Sequence, residues 1–194
     1  MKPWIAPLFC LISTTVTAAP DAFQATYSVS VKGFEVGQMT AKLQYTNGSY
    51  TYEKLTKPNA LAAFFSDDTL LERSNGQRDG DKLIPSSYLH HHQSKRKERQ
   101  DDFSFITPTQ VKGTYDSTAY ELNVPAGTLD MATLELYLME ALQDTKPLHY
   151  QVVARGKLQD YRLNKVGKET LALPAGNYEC EKVEVQHSDK ERQT

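Results

Sequence analysis

The stretch TLDMATLELYLMEALQD, Thr128 to Asp144, is the one long run whose apolar residues recur with helical rather than alternating spacing. At about 100° per residue, Met131, Leu134, Leu138, Ala141 and Leu142 fall on one stripe, and Leu129, Ala132, Leu136 and Met139 fall on another. Thr128 or Asp130 can cap the first turn by accepting orphan amide bonds, and Pro147 stops anything beyond Lys146. A helix over about residues 129–143 is therefore expected between two blocks of strands. The Leu138 stripe should anchor it to a sheet. The Leu136 stripe then needs a second cover, from another segment of chain or from a ligand.

Outward from this helix, nearly everything alternates. Phe23, Ala25, Tyr27, Val29 and Val31 share one parity, and Met39, Ala41, Leu43 and Tyr45 share another, each facing polar neighbours. Asn47-Gly48 is a strong hairpin signal, because both residues tolerate positive φ. Asn75-Gly76 and Asp79-Gly80-Asp81 read as turns between further strands. NALAAFF, Asn59 to Phe65, follows Pro58 without alternation, and reads as a short helix or loop tucked into the core or as an apolar flap over a cavity mouth. From Tyr88 the chain runs into HHHQSKRKERQDD, where neither parity is apolar, as expected of a projecting or solvated edge. After the helix, strands are expected at Leu148–Ala154, Leu158–Leu163, Glu169–Leu173 and Tyr178–Gln186, with a bulge near Glu181-Lys182 where the apolar parity switches. The fold class is mainly β: an antiparallel barrel, half-barrel or strongly curved sheet of about ten to twelve short strands with one central α-helix. A transmembrane barrel is the competing architecture, and the central helix and the charged segment His90 to Asp102 count against it.

The first residues, MKPWIAPLFCLISTTVTAA, carry one positive charge, an apolar run and small residues at the end, which reads as a secretory signal peptide cleaved after Ala18. The apolar run is short of the ~20 residues that span a bilayer, so no transmembrane segment is expected after cleavage. Residues 19–194 are then expected to form one β-rich domain in the periplasm. The C-terminal His187-Ser188-Asp189-Lys190-Glu191 resembles a hairpin tip whose returning strand has barely begun, so this domain is expected to be incomplete at that end. Of the two cysteines, only Cys180 lies outside the signal peptide, which leaves no internal disulfide. It is expected to be a buried inert thiol, with an intermolecular or reactive role as the alternative. A formal net charge of −2 gives no reason to expect nucleic acid as a partner.

No nucleophile elbow, phosphate loop, HExxH or CxxC pattern is present, so neither catalytic residues nor a cofactor are proposed, and an enzyme is the less favoured class. Of His90, His91 and His92, only His90 and His92 can share a face of a strand, and no metal site is assigned. Lys95, Arg96, Lys97 and Arg99 form the candidate basic patch for anionic headgroups or polysaccharide, diluted by Glu98, Asp101 and Asp102. Tyrosines recur on the apolar parity, and a buried tyrosine hydroxyl requires a partner. They suggest either ordinary packing at the core edge or a cavity for an amphipathic ligand, with Tyr27, Tyr45, Tyr120, Tyr150, Leu136, Met139, Phe64 and Phe65 as candidate lining. The functional expectation is a non-catalytic binder or carrier of a hydrophobic or amphipathic envelope component. The alternative is an interaction module for another envelope protein, with no small ligand.

FQATYSVSVKG followed by Gly37, LIPSSY, TLDMATLELYLMEAL and GKETLALPAGNYECEKVEV together resemble the bacterial domain-of-unknown-function family 3108, secreted envelope proteins. The resemblance covers most of the chain and implies an antiparallel β protein that continues with a Trp-containing strand and a Leu-Pro segment not found here. It implies no catalytic residues.

Overall fold

A computed structural model describes residues 19–64, 67–95, 97–141 and 148–186. The signal-peptide reading, Phe65, Arg96, Leu142 and the expected C-terminal hairpin lie outside these residues.

Eight strands follow one another as an antiparallel meander: β1 (Phe23–Val31), β2 (Phe34–Thr46), β3 (Ser49–Pro58), β4 (Thr69–Asp79), β5 (Lys82–Gln93), β6 (Glu98–Thr107), β7 (Gln110–Tyr115) and β8 (Thr118–Asn123). The sheet is curved and open, as the alternating sequence led us to expect. The chain then enters β9 (Leu129–Asp130), α1 (Met131–Ala141), β10 (Leu148–Ala154), β11 (Lys157–Leu173) and β12 (Gly176–Gln186). These last strands form a smaller sheet in the order β12-β11-β10-β9, with β9 parallel to β10.

The helix lies between the two sheets, and this settles which of its faces is covered by what. Ala132 and Leu136 are fully buried in the main core with Leu43, Tyr50, Tyr52 and Phe103 of the large sheet. Leu134 is buried against Val152 of β10, with Leu138 packed on the same cluster. Of the stripe expected to need an outside cover, Ala132 and Leu136 are thus seated on the large sheet, while Leu129 joins the small-sheet cluster. The supposed anchoring stripe meets the small sheet. Met139, at the stripe's end, is 39% exposed.

Three local expectations are corrected. Asn75-Gly76 is not a turn but lies inside β4, at a register shift opposite Pro85. A Cβ at Gly76 would stand 2.1 Å from the Ile84 carbonyl oxygen and 2.5 Å from the Tyr50 ring, so the glycine marks a close approach of backbone and ring rather than a reversal. The histidine-rich strand is not an edge: β5 and β6 are both interior, and their polar groups meet cross-strand partners such as the His91–Glu98 pair at 2.6 Å. Asn59–Phe64 is not tucked into the core. It is a connection with one 3-10 turn, Ala62–Phe64, carrying exposed Leu61 and Phe64.

In the small sheet, the Leu158–Leu163 and Glu169–Leu173 strands are one continuous β11. The bulge that the parity switch foreshadowed sits on β11 between Lys165 and Gly167, opposite Val183 and Lys182, rather than on β12 itself. Cys180 is a free thiol, half-buried on the β11–β12 ribbon.

Candidate functional site

The strand registers resolve the inner face of the large sheet, the one that meets the helix, into three cross-strand rows. Phe23, Leu43, Tyr52, Ser74, Tyr88 and Phe103 make the first. Ala25, Ala41, Lys54, Glu72, His90 and Asp101 make the second. Tyr27, Met39, Thr56, Leu70, His92 and Arg99 make the third. Because side chains alternate with a period of two, each step between rows advances two residues along every strand. The face therefore grades from covered apolar, through ionic, to open and mixed.

The first row is sealed by α1, and the seal contains a buried polar knot. Asp130 caps the helix, its Oδ1 accepting the Thr133 backbone N–H at 2.7 Å. Its Oδ2 accepts the Ser74 hydroxyl at 2.7 Å and the Thr133 hydroxyl at 2.9 Å. The Tyr50 hydroxyl stands 3.1 Å from Ser74 Oγ and 2.8 Å from Thr133 Oγ1. Burial raises the Asp130 carboxyl to about 6, against the lowering effect of these hydrogen bonds, and Glu72 adds to the rise.

The second row is a chain of ionic contacts that continues onto the helix. Lys54 Nζ lies 2.7 Å from Glu72 Oε2 and also pairs with Glu135 of α1. Tyr52 donates to Glu135 Oε1 at 2.8 Å, and Tyr88 donates to Glu72 Oε1 at 2.6 Å. Burial works to lower the Lys54 pKa, yet Glu72 and Glu135 hold it above the ordinary value, so the ammonium persists at neutral pH. Asp101, farther along, accepts the Arg155 backbone N–H at 2.6 Å and the Tyr120 hydroxyl at 3.0 Å, which fastens the β10–β11 turn to the large sheet. Burial lifts its carboxyl above the usual range. Burial likewise raises Tyr50, Tyr52, Tyr88 and Tyr120, so these hydroxyls stay protonated and serve as donors.

In the third row, none of Tyr27, Met39 and Leu70 joins either core cluster. Tyr27 is 46% exposed. His92 and Arg99 bring cationic capacity to the far end and have no ion-pair partner among the described residues.

The residues singled out from the sequence are dispersed over this framework. Tyr27 is on the open row. Tyr45 is half-buried at the opposite end, donating to the Pro20 carbonyl at 2.7 Å with Arg78 over its ring at 4.7 Å. Tyr120 belongs to the Asp101 contact, and Tyr150 packs on Tyr137 in the small sheet. Leu136 is core, although with Leu83, Tyr137 and Glu140 it also borders a recess of about 240 Å³ near Pro20, below the size of ordinary ligand pockets. Phe64 is exposed on the connection between β3 and β4. Lys95 and Lys97 lie in the β5–β6 connection, and Arg99 follows on β6 at an inner-face register. His90 and His92 do share a face, but among the described residues no group of three His, Cys, Asp or Glu side chains is placed to hold a metal ion. No helix among them is long and apolar enough to cross a membrane.

The sequence reading passed over Ser74, Thr133, Lys54, Glu72 and Glu135. Their one available signal was parity: Lys54 and Glu72 continue the inward alternation of their strands as charged residues, where an apolar core would be expected to continue.

Tyrosine-fastened helix, curved meander and smaller second sheet all fall within one family match. The model described as "Protein of unknown function (DUF3108)" matches residues 26–194. The chain belongs to the DUF3108 family. That match begins within β1 and takes in the rest of the large sheet, the helix and the small sheet, so the DUF3108 unit includes the buried knot and the open row alike. No curated protein and no solved structure matches this DUF3108 chain.

Proposed function

We propose that this DUF3108 protein is a non-catalytic binding protein of the bacterial periplasm that holds an amphipathic envelope component along the third row. The observation that carries the reading is the uncovered part of the inner face, where Tyr27, Met39 and Leu70 continue into His92 and Arg99 without joining a core cluster. An apolar stem lies across the β1–β4 end and a polar head meets the β5–β6 end. At about 4.8 Å per strand, the row from Tyr27 on β1 to His92 on β5 runs roughly 19 Å, enough to lay out a long acyl chain. The ionic second row separates this surface from the sealed core. The polar groups identified there suit positioning rather than bond-making, since the tyrosines are held protonated and Lys54 is held charged.

Native mass spectrometry of gently purified protein tests this. Additional lipid-like mass is expected, together with uptake of an apolar dye that Leu70→Asp abolishes. Repeated absence of both would refute the proposal. Fractionation of expressing cells tests the compartment, and a cytoplasmic pool of uncleaved chain would contradict it.

A second reading, an interaction module for another envelope protein, draws on a different surface. The β11–β12 ribbon exposes Leu171, Leu173 and Tyr178, and β12 is at the end of its sheet among the described residues. Capture of a partner lost on Leu171→Ser/Tyr178→Ser would favour it.

A further inference from the structure

The end of the large sheet where the third row opens also gathers three connections. Gly37 stands opposite Pro58 and Thr69 opposite Gln93, so the β1–β2 turn, the β3–β4 connection and the β5–β6 connection project from the same end. Asn59 ties the first two together. Its backbone N–H donates to the Val36 carbonyl at 3.0 Å, its Nδ2 donates to the Glu35 carbonyl at 2.7 Å, and its Oδ1 accepts the Ala62 N–H at 2.9 Å. The third is joined through the Lys95 N–H, which donates to the Asp67 carboxylate at 3.0 Å. Around Asn59 the chain places Phe34, Leu61 and Phe64, which are 76%, 75% and 80% exposed.

Scattered exposed apolar residues are ordinary on a protein surface, but three at this exposure, Phe34 at the start of β2 and Leu61 and Phe64 on the tethered β3–β4 connection, form a crest with an apolar tip. Lys32, Lys57, Lys95 and Lys97 are on the flanking turns and strand ends, with no ion-pair partner among the described residues. The acids at this end include Glu35, which accepts from Ser28 at 3.0 Å, Glu98, paired with His91, and Asp67 and Asp68. Long lysine stems can lie along apolar surface while their ammonium groups reach outward.

We propose that this crest docks on a lipid bilayer, with Phe34, Leu61 and Phe64 entering the boundary between headgroups and acyl chains and the lysines meeting anionic headgroups. A second copy of the chain is the poorer occupant. A two-fold interface sets the same patch against itself, with as many lysines as acids on each side, and so offers those lysines no excess of negative charge. A bilayer supplies apolar depth and negative charge together. The docking stands independently of the ligand reading, although it would bring the third row's open end to the membrane.

The purified chain is to be sedimented with vesicles of phosphatidylethanolamine and phosphatidylglycerol, and separately with neutral vesicles. Wild type is expected to sediment with the anionic vesicles, and Phe34→Ser/Leu61→Ser/Phe64→Ser to lose at least about tenfold in apparent affinity. Lys57→Glu/Lys95→Glu should weaken binding to anionic but not to neutral vesicles. The single variant Phe64→Ser, whose side chain is the most exposed of the three, gives the same direction of loss should the triple variant fail to fold. Undiminished sedimentation of the serine variants, or none by wild type, overturns the proposal. So does a dimer in sedimentation velocity that the serine substitutions disperse. Leu70→Asp separates the two readings, since it should stop dye uptake and leave vesicle binding intact.

Discussion

The Tyr50 hydroxyl lies 2.8 Å from Thr133 Oγ1, joining the third strand of the large sheet to the first turn of the only described α-helix. Both groups are fully buried, and each also contacts Ser74. In so apolar a setting, removal of one hydroxyl leaves the others under-bonded, so the link has more effect on stability than an exposed bond would. Tyr50→Phe is expected to destabilise by about 1–2 kcal/mol in urea unfolding, with the denaturant dependence unchanged. In a double-mutant cycle with Thr133→Val, the two losses should be less than additive. Strict additivity would show that the contact is energetically empty.

Asp130 makes a pH prediction whose sign is unusual for a helix-capping carboxylate. Its folded value is raised from 3.8 to about 6, so between these values the folded protein holds a proton that the unfolded chain has released. Stability contributed by this group is therefore largest at acid pH and falls as pH rises through that window, by about 2–3 kcal/mol in total. Asp101 is shifted in the same direction. Asp130→Asn keeps a good capping oxygen for Thr133 and removes the buried charge. It is expected to flatten the decline measured by urea unfolding at a series of pH values. An unaltered decline would assign the effect elsewhere.

Gly76 tests the closeness of strand and ring. A methyl group there meets the Ile84 carbonyl oxygen at 2.1 Å, which backbone cannot yield without breaking the β4–β5 pairing. Gly76→Ala should cost at least about 2 kcal/mol, or prevent folding. Gly48→Ala, at φ +78 with nothing within 4 Å, should cost only the backbone strain, about 1 kcal/mol. Equal losses in thermal unfolding would argue against crowding as the reason for glycine at position 76.

The two ends of one helical stripe should behave differently. Leu136→Ala opens a cavity between α1 and the large sheet and is expected to cost about 2–5 kcal/mol. Met139→Ser, at a partly exposed site, should change stability by less than about 1 kcal/mol. Chemical denaturation of both variants checks this, and a large loss at Met139 would mean that its face is covered.

Much of this architecture was legible in the chain itself, for reasons that are local. Alternation in Phe23–Val31 and Met39–Tyr45, the Asn47-Gly48 reversal and the helical spacing from Met131 onward each follow from backbone geometry within a few residues. Asp130 could be recognised as a cap for the same reason. What the sequence could not specify were relationships between distant segments. Tyr50 and Thr133 are separated by 83 positions, and Asp101 meets the Arg155 N–H across 54. No periodicity records such pairings.

The tyrosines show the division most clearly. Sequence alone showed that most of them share the apolar parity of their strands and that a buried hydroxyl requires a partner. Only the tertiary structure decided which partners: the helix for Tyr50 and Tyr52, strand carboxylates for Tyr88 and Tyr120, and open surface for Tyr27. Likewise, the helix was bound to bury two faces, since its apolar residues occupy two stripes. Which sheet covers which stripe depended on how β10 and the eight-stranded meander close around it, a matter of packing volume and not of sequence spacing.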